Sequence, residues 1–236
     1  MDKKFGDVLP NWQVPPAPQG AILHGRLARL EPLNADAHAA DLFAANRADD
    51  GIWDYLGYGP FDRLQAYQDW VRGMQTQTDP HFYAIRPRPD APAQGVASYL
   101  RITPAAGSIE VGHICLSPAL QGTIAATEAM ALMMAWAFDN GYRRYEWKCD
   151  ALNLPSRRAA ARLGFSYEGI FRQHMIYKGR NRDTAWFAIT DQDWPGLRRA
   201  FDIWLDPANF DATGRQRQRL SDLTRPHLVS HDPMLP

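Results

Sequence analysis

What this chain lacks narrows its reading before any motif is considered. It has only two cysteines in 236 residues, Cys115 and Cys149. They show no CxxC spacing and no neighbouring cluster of histidines, so a disulfide framework, a zinc or other metal site and a thiol nucleophile have no support. Two buried free thiols in a reducing cytoplasm are expected. The chain has no excess charge of either sign, with 26 Lys and Arg against 26 Asp and Glu, and no long basic run. That disfavours bulk binding to nucleic acid or to an anionic membrane. Long apolar runs are also missing. The longest, Ala129 to Phe138, falls well short of the ~20 residues that span a bilayer. The N-terminal Met1-Asp2-Lys3-Lys4-Phe5-Gly6-Asp7 has no apolar core of a secretory signal, and a cytoplasmic location is expected. Neither a GxxxxGK(S/T) loop nor a GxGxxG following a strand is present, which excludes a nucleotide kinase of the P-loop type.

What remains is an ordinary globular composition, sized for one large domain. Residues 1–20 are Pro-rich (Val14-Pro15-Pro16-Ala17-Pro18) and read as an extended arm that packs on the body or exchanges with a neighbouring chain in a homodimer. Residues 21–205 read as the domain, and 206–236 as a polar surface tail. Leu23 to Leu33 reads as a first strand, and Asn34 as the N-cap of a helix to Asn46. An aromatic, Gly-rich loop at 53–60 precedes a helix over 62–76. Strands are predicted at 81–86, 95–103 and 108–116. Thr127 to Asn140 is an apolar, Met-rich helix that should be buried. A strand over 142–149 follows, then a helix from Leu154 to Leu163, strands over 167–178 and 183–190, and a helix opened by Thr190-Asp191-Gln192-Asp193. A strand–helix–strand crossover makes strands 108–116 and 142–149 parallel. The expected fold is α/β (α+β): a mixed, mostly antiparallel sheet of about seven strands with helices on both faces.

Most of the information lies between 121 and 169. Gln121-Gly122-Thr123-Ile124-Ala125-Ala126-Thr127 is a loop of small residues entering a helix, and Asn153 with Ser156 opens a second helix one strand later. Backbone N–H groups at helix starts lack intrahelical partners and suit anions. Two such starts suit a long ligand with phosphates at one end and a reactive group at the other, such as acyl-coenzyme A.

The composite of Gln121-Gly122 to Thr127-Glu128-Ala129, Asn153 with Ser156, Arg162-Leu163-Gly164-Phe165 and Glu168-Gly169 resembles the GCN5-related N-acetyltransferase (GNAT) superfamily, over about residues 22–195. Within it the resemblance is to the ribosomal-protein-alanine acetyltransferase-like branch. It implies the GNAT fold with a splayed parallel pair, acetyl-CoA as acyl donor and an amine as acceptor. Two departures stand out. Ile124 and Ala126 occupy positions of the pyrophosphate loop where glycine or small residues are common, and Ala160 stands where many relatives carry a proton-donating Tyr. The alternative of another class is a non-catalytic acyl-CoA-binding or interaction module that keeps the fold.

Acyl transfer to an amine needs a neutral nucleophile, donors for an oxyanion, a hydrogen bond to the departing thiolate and alignment of both substrates. Glu110 is the candidate base, against an alternative role as a strand carboxylate in a salt bridge. Ser156 is the candidate partner of the sulfur, against simple helix capping. The resemblance assigns cofactor binding to backbone at Ile114 and Leu116, to Gln121, Gly122, Thr123, Ile124, Ala125, Ala126 and Thr127, to Asn153 and Ser156, and to Arg162. Arg157 and Arg158 are further phosphate candidates. Acceptor-side candidates are Trp53, Tyr55, Tyr58, Trp147, Arg172, Tyr177, Asp183 and Trp186. His113 alternates onto the Val111 face and reads as a core histidine.

Overall fold

The computed structural model describes residues 3–235; Met1 and Asp2 of the expected arm and Pro236 of the expected tail lie outside the described residues. Strands β1 (Leu23–His24), β2 (Arg29–Pro32), β3 (His81–Arg86), β4 (Gly95–Thr103), β5 (Ser108–Leu116), β6 (Arg144–Asp150), β7 (Ser166–Tyr177) and β8 (Arg180–Thr190) form one sheet in the order β1-β2-β3-β4-β5-β6-β8-β7. Every neighbouring pair is antiparallel except β5 and β6, which run parallel as the crossover rule requires.

Eight strands rather than about seven arise because the first predicted strand folds back on itself. The Glu128 carboxylate accepts the amides of Arg26 (3.1 Å) and Leu27 (2.6 Å), holding a turn between β1 and β2. A side chain at Gly25 would collide with that carboxylate.

Helices α1 (Ala35–Asn46) and α2 (Leu64–Gln75) cover one sheet face. Their core includes Leu42, Tyr67, Val71, Phe82, Ala84 and Val96. Asn34 caps α1 as expected, accepting the amides of Asp36 and Ala37. Helices α3 (Ile124–Asp139), α4 (Leu154–Arg162) and α5 (Trp194–Leu205) cover the other face. α3 is apolar nearly all round and is largely buried, with Met133 and Met134 fully enclosed; each such side chain contributes roughly 1.5–3 kcal/mol by leaving water. α5 starts at Trp194, later than its sequence signal, because Asp193 turns back to accept both the amide and the hydroxyl of Thr190.

The tail is not a loose polar surface. Leu220 and Thr224 of α6 (Leu220–Thr224) are fully buried, and Asp232 pairs with Arg157 of α4 inside the protein. In the arm, Pro15 and Pro18 are buried and Pro16 accepts the Tyr142 hydroxyl at 3.0 Å.

Two irregularities in β5 and β6 open the sheet. Their pairing runs from Ser108↔Arg144 only to Val111↔Trp147. Both strands then continue, to Leu116 and Asp150, without pairing to each other. A cleft therefore forms between them. In the open half, β5 carries a bulge against β4: two residues, His113 and Ile114, stand opposite one, between the Ser98↔Gly112 and Val96↔Cys115 pairs. His113 takes the left-handed backbone, φ +50°. An extra residue reverses the alternation beyond it. Cys115 thus packs with the α1–α2 core, and Ile114 and Leu116 with the α3 core.

Candidate active site

One end of the cleft meets the start of α3. The helix begins at Ile124, earlier than expected, because the Thr123 hydroxyl accepts the Ala126 amide at 3.1 Å and caps the first turn. Thr127 donates back to the Thr123 carbonyl. The amides of Gly122, Ile124 and Ala125 have no protein acceptor among the described residues. Three donors together at the positive end of a 16-residue helix form an anion site. Gly122 has φ +71° and faces open space, so the backbone is accessible there. The Ile124 side chain packs against the core rather than over the loop. Arg162 from α4 donates to the Thr127 hydroxyl at 3.1 Å and stacks over Trp204, which places a guanidinium beside the first turn of α3.

The second helix start is closed. In α4, Leu154 donates to the Leu152 carbonyl, Ser156 to the Asn153 side chain, and Pro155 has no N–H. Asn153 is a helix cap, and α4 does not offer a second anion site. Arg157 is likewise removed from the phosphate candidates: it is buried and paired with Asp232.

Within the cleft, the Trp147 indole donates to Ser156 Oγ at 3.0 Å. That contact fills an acceptor position of the hydroxyl and leaves its proton free to donate. Cys149 lies close by; burial pushes its thiol up to about 11, with Ser156 and the charges of Arg182 and Arg157 pulling the other way. Cys115 is also a buried free thiol, pushed up to about 12 by burial. The Leu116 carbonyl accepts the Gln121 amide side chain at 3.0 Å.

On the sheet face shared with α1 and α2, Glu110 lies beside the cleft and is 2% exposed. Both its oxygens accept from Arg101 Nη1, at 2.7 and 2.8 Å, and Lys148 Nζ lies 2.8 Å away. Lys148 also holds Glu146 at 2.7 Å and sits 3.8 Å over the Trp186 ring. Burial pushes the Glu110 carboxyl up from its ordinary value, against the opposing pull of Lys148 and Arg101. His113 is on this face too, not on the Val111 face, because the bulge displaces it. It stacks on Tyr58 at 5.7 Å and packs on Phe82 at 5.1 Å. Burial first, then the charges of Arg101 and Arg182, lower it to about 4, so it is neutral at pH 7 and a weak base.

The acceptor-side candidates divide. Trp53 is 4% exposed and belongs to the α1–α2 core, in a short 3₁₀ turn over Asp50–Trp53. The Gly and Pro content of the 53–60 segment shapes this packed turn and does not exclude it from the core. Trp147 lies on the opposite face, against Phe165. Asp183 holds the irregular backbone of β7, accepting the Gln173 amide at 2.7 Å, and Arg172 is exposed beside it. Tyr58 stacks on His113 of the open half of β5. Tyr55 donates to the Leu152 carbonyl and Tyr177 to Asp150, at 3.3 and 2.8 Å. Lys178 at the hairpin tip donates to the Trp53 carbonyl at 2.7 Å, tying the β7–β8 hairpin to that 3₁₀ turn. Arg101, Lys148 and Arg182 are not among the residues that the sequence singles out. Lys148 alternates with Arg144 and Glu146 onto the polar side of β6.

A sheet opened between two parallel strands, with unpartnered helix amides at one end and a buried carboxylate beside the opening, defines an acyl-transfer class of site. Residues 28–166 match the acetyltransferase (GNAT) domain model, and the chain belongs to that family. The chain is 44% identical to a GCN5-related N-acetyltransferase from Brucella melitensis, with 92% of this chain and 100% of that one covered and a TM-score of 0.89. It is 38% identical to a GNAT-family structure from Chromobacterium violaceum ATCC 12472, covering 83% and 98%, with a TM-score of 0.78. The microcin C7 self-immunity acetyltransferase MccE, solved with acetyl-CoA and AMP, shares the fold at 19% identity, 70% and 93% coverage and a TM-score of 0.63. No curated protein sequence matches the chain.

Proposed function

We propose that the chain transfers an acetyl group from acetyl-CoA to a primary amine, by direct attack while both substrates are bound. The reading rests chiefly on the three unpartnered amides of Gly122, Ile124 and Ala125 at the mouth of the cleft. They fit a diphosphate, with Arg162 as a neighbouring cation. The Ile114–Leu116 stretch of β5 then borders the thioester, and a backbone N–H there serves its carbonyl oxygen. Asn153 acts through α4, fixing Ser156 at the sulfur end.

As the amine nitrogen bonds the acetyl carbon, the carbon–sulfur bond breaks. The nitrogen sheds one proton, and coenzyme A leaves as a thiolate, which becomes the thiol when Glu110 passes that proton on through solvent. Glu110, raised by burial, takes the amine proton, through water where Arg101 blocks direct access. Ser156 donates to the departing sulfur. A thiolate near pKa ~8.5 leaves without a strong acid, so a hydroxyl suffices. The acceptor amine must be neutral, which favours an α-amine near ~8 over a lysine-like one near ~10.4. A protein N-terminus and a small-molecule amine both satisfy this. The Asn153, Ser156 and Arg162-Leu163-Gly164-Phe165 pattern favours the ribosomal-protein-alanine acetyltransferase-like branch.

Calorimetric titration with acetyl-CoA, followed by free-thiol release over a panel of amines and peptides, tests the proposal. Saturable binding with amine-dependent release of thiol is expected. Binding without turnover of any amine would establish the non-catalytic module instead.

A further inference from the structure

Arg182 is a partly buried cation on the acceptor side without a counter-charge. Arg182 projects from β8 on the side of Thr184 and Trp186, by strand alternation. Its Nε is buried without a partner, and no ion pair among the described residues includes it. The other buried cations nearby are all satisfied. Lys148 holds Glu110 and Glu146, Arg144 holds Glu146 and Glu168, and Arg157 holds Asp232. The acids close to Arg182 in the chain or register are engaged elsewhere. Asp150, opposite Thr184, accepts the Tyr177 hydroxyl and the Leu152 amide, and Asp183 accepts the Gln173 amide. A partly buried guanidinium without an anion is costly, and its five donors form a fork suited to carboxylate or phosphate oxygens.

Its surroundings form a receptor rather than a patch of surface. Arg182 stands two residues along β8 from Thr184, which pairs with Asp150 at the end of β6, and its guanidinium lies 5.7 Å from the Tyr177 ring. Two further donors on this face lack acceptors, the Trp186 indole and the Tyr58 hydroxyl. Phe171 packs on Trp186 at 4.3 Å and remains half exposed, an apolar wall beside the polar groups. Glu110 stands on the same face.

We propose that the amine acceptor carries its own anionic oxygen group, a carboxylate or a phosphate, and that Arg182 binds that group. The inference rests on the acetyl-transfer reading and names the substrate class within it: a small zwitterionic amine, as in an amino acid or an amino-alkyl phosphate. A polyamine has no group for Arg182 and would bring a further positive charge against it. A protein N-terminus meets the requirement where an acidic side chain follows its amine.

The test uses the full chain, acetyl-CoA and matched probes that differ by one anionic group: methionine against methioninamide, and phosphoethanolamine against ethanolamine. Free-thiol release gives kcat and KM for each, with wild type, Arg182→Gln and Arg182→Lys. With each kcat/KM expressed per concentration of neutral amine, because a neighbouring anion raises the amine's own pKa, the anionic member of at least one pair should be preferred by about tenfold or more, the scale of a charge-assisted hydrogen bond. In Arg182→Gln the ratio should fall towards one, mainly through KM, and Arg182→Lys should recover part of it. The relative result of the two pairs separates carboxylate from phosphate. Equal use of both members, preference for the neutral amine, turnover of no anionic probe, or an unchanged ratio in Arg182→Gln would overturn the inference alone. Failure of acetyl-CoA to bind would overturn the acetyl-transfer reading and this inference with it.

Discussion

Glu110 shows how burial and charge compete at a single carboxylate. Two cations hold it, yet removal from water outweighs them and pushes its carboxyl up. A base acts in its unprotonated form, so kcat/KM should fall as pH drops through that raised value. The acid limb should therefore lie above the ordinary carboxylate value of ~4.3. Glu110→Gln should remove that limb and lower kcat by roughly 10²–10⁴-fold, with the acetyl-CoA Kd little changed. Equal loss of turnover and acetyl-CoA affinity would contradict the base assignment. Some of this was legible in the sequence. The alternation of β5 put Glu110 and Gly112 on one face, and Ser156 opened a helix after β6. The clamp from Arg101 was not legible, because it depends on a left-handed residue in β4, φ +45°, that no local pattern signals. Trp53 misled for the opposite reason: glycines and a proline around it suggested an open loop, and the chain used them to pack a 3₁₀ turn.

Among the elements, α3 and the open half of β5 carry most of the account. The length and mostly apolar character of α3 announced its burial, but its start did not follow from them. Ile124 to Ala126 read as loop because they are small and apolar, whereas Thr123 caps the turn they form. That shift leaves one amide occupied and three open. Periodicity also failed past Gly112, since one inserted residue exchanges the faces of everything after it. Gly122→Asp tests the helix start. Aspartate tolerates the left-handed backbone better than most residues, and a side chain there meets no neighbour within 4 Å. The new carboxylate would stand against the same amides as the diphosphate. Acetyl-CoA affinity should fall by about tenfold or more, the effect of like-charge opposition at close range, while Tm moves by only a few degrees. Unchanged affinity would remove the loop from the site.

For the molecule as a whole, the order of elements and the parallel pair were readable from turn residues and hydrophobic period. The segment after 205 is rich in Arg, Gln and Asp and reads as solvent-facing, yet a few residues anchor it: Leu220, Thr224 and Asp232. A composition average hides such anchors. Asp232→Ala should leave Arg157 buried without its partner and cost about 3–5 kcal/mol, lowering Tm by roughly 10 °C. A fall of a degree or less would mean that the tail docks without bearing on stability. Among the described residues no helix is long and apolar enough to cross a membrane.

The crystal structure of the complex with acetyl-CoA is the most direct measurement. Diphosphate oxygens should lie within hydrogen-bond distance of the Gly122, Ile124 and Ala125 amides, with the thioester between β5 and β6 and its sulfur at Ser156. A diphosphate bound elsewhere, with those amides turned to other partners, would contradict the account.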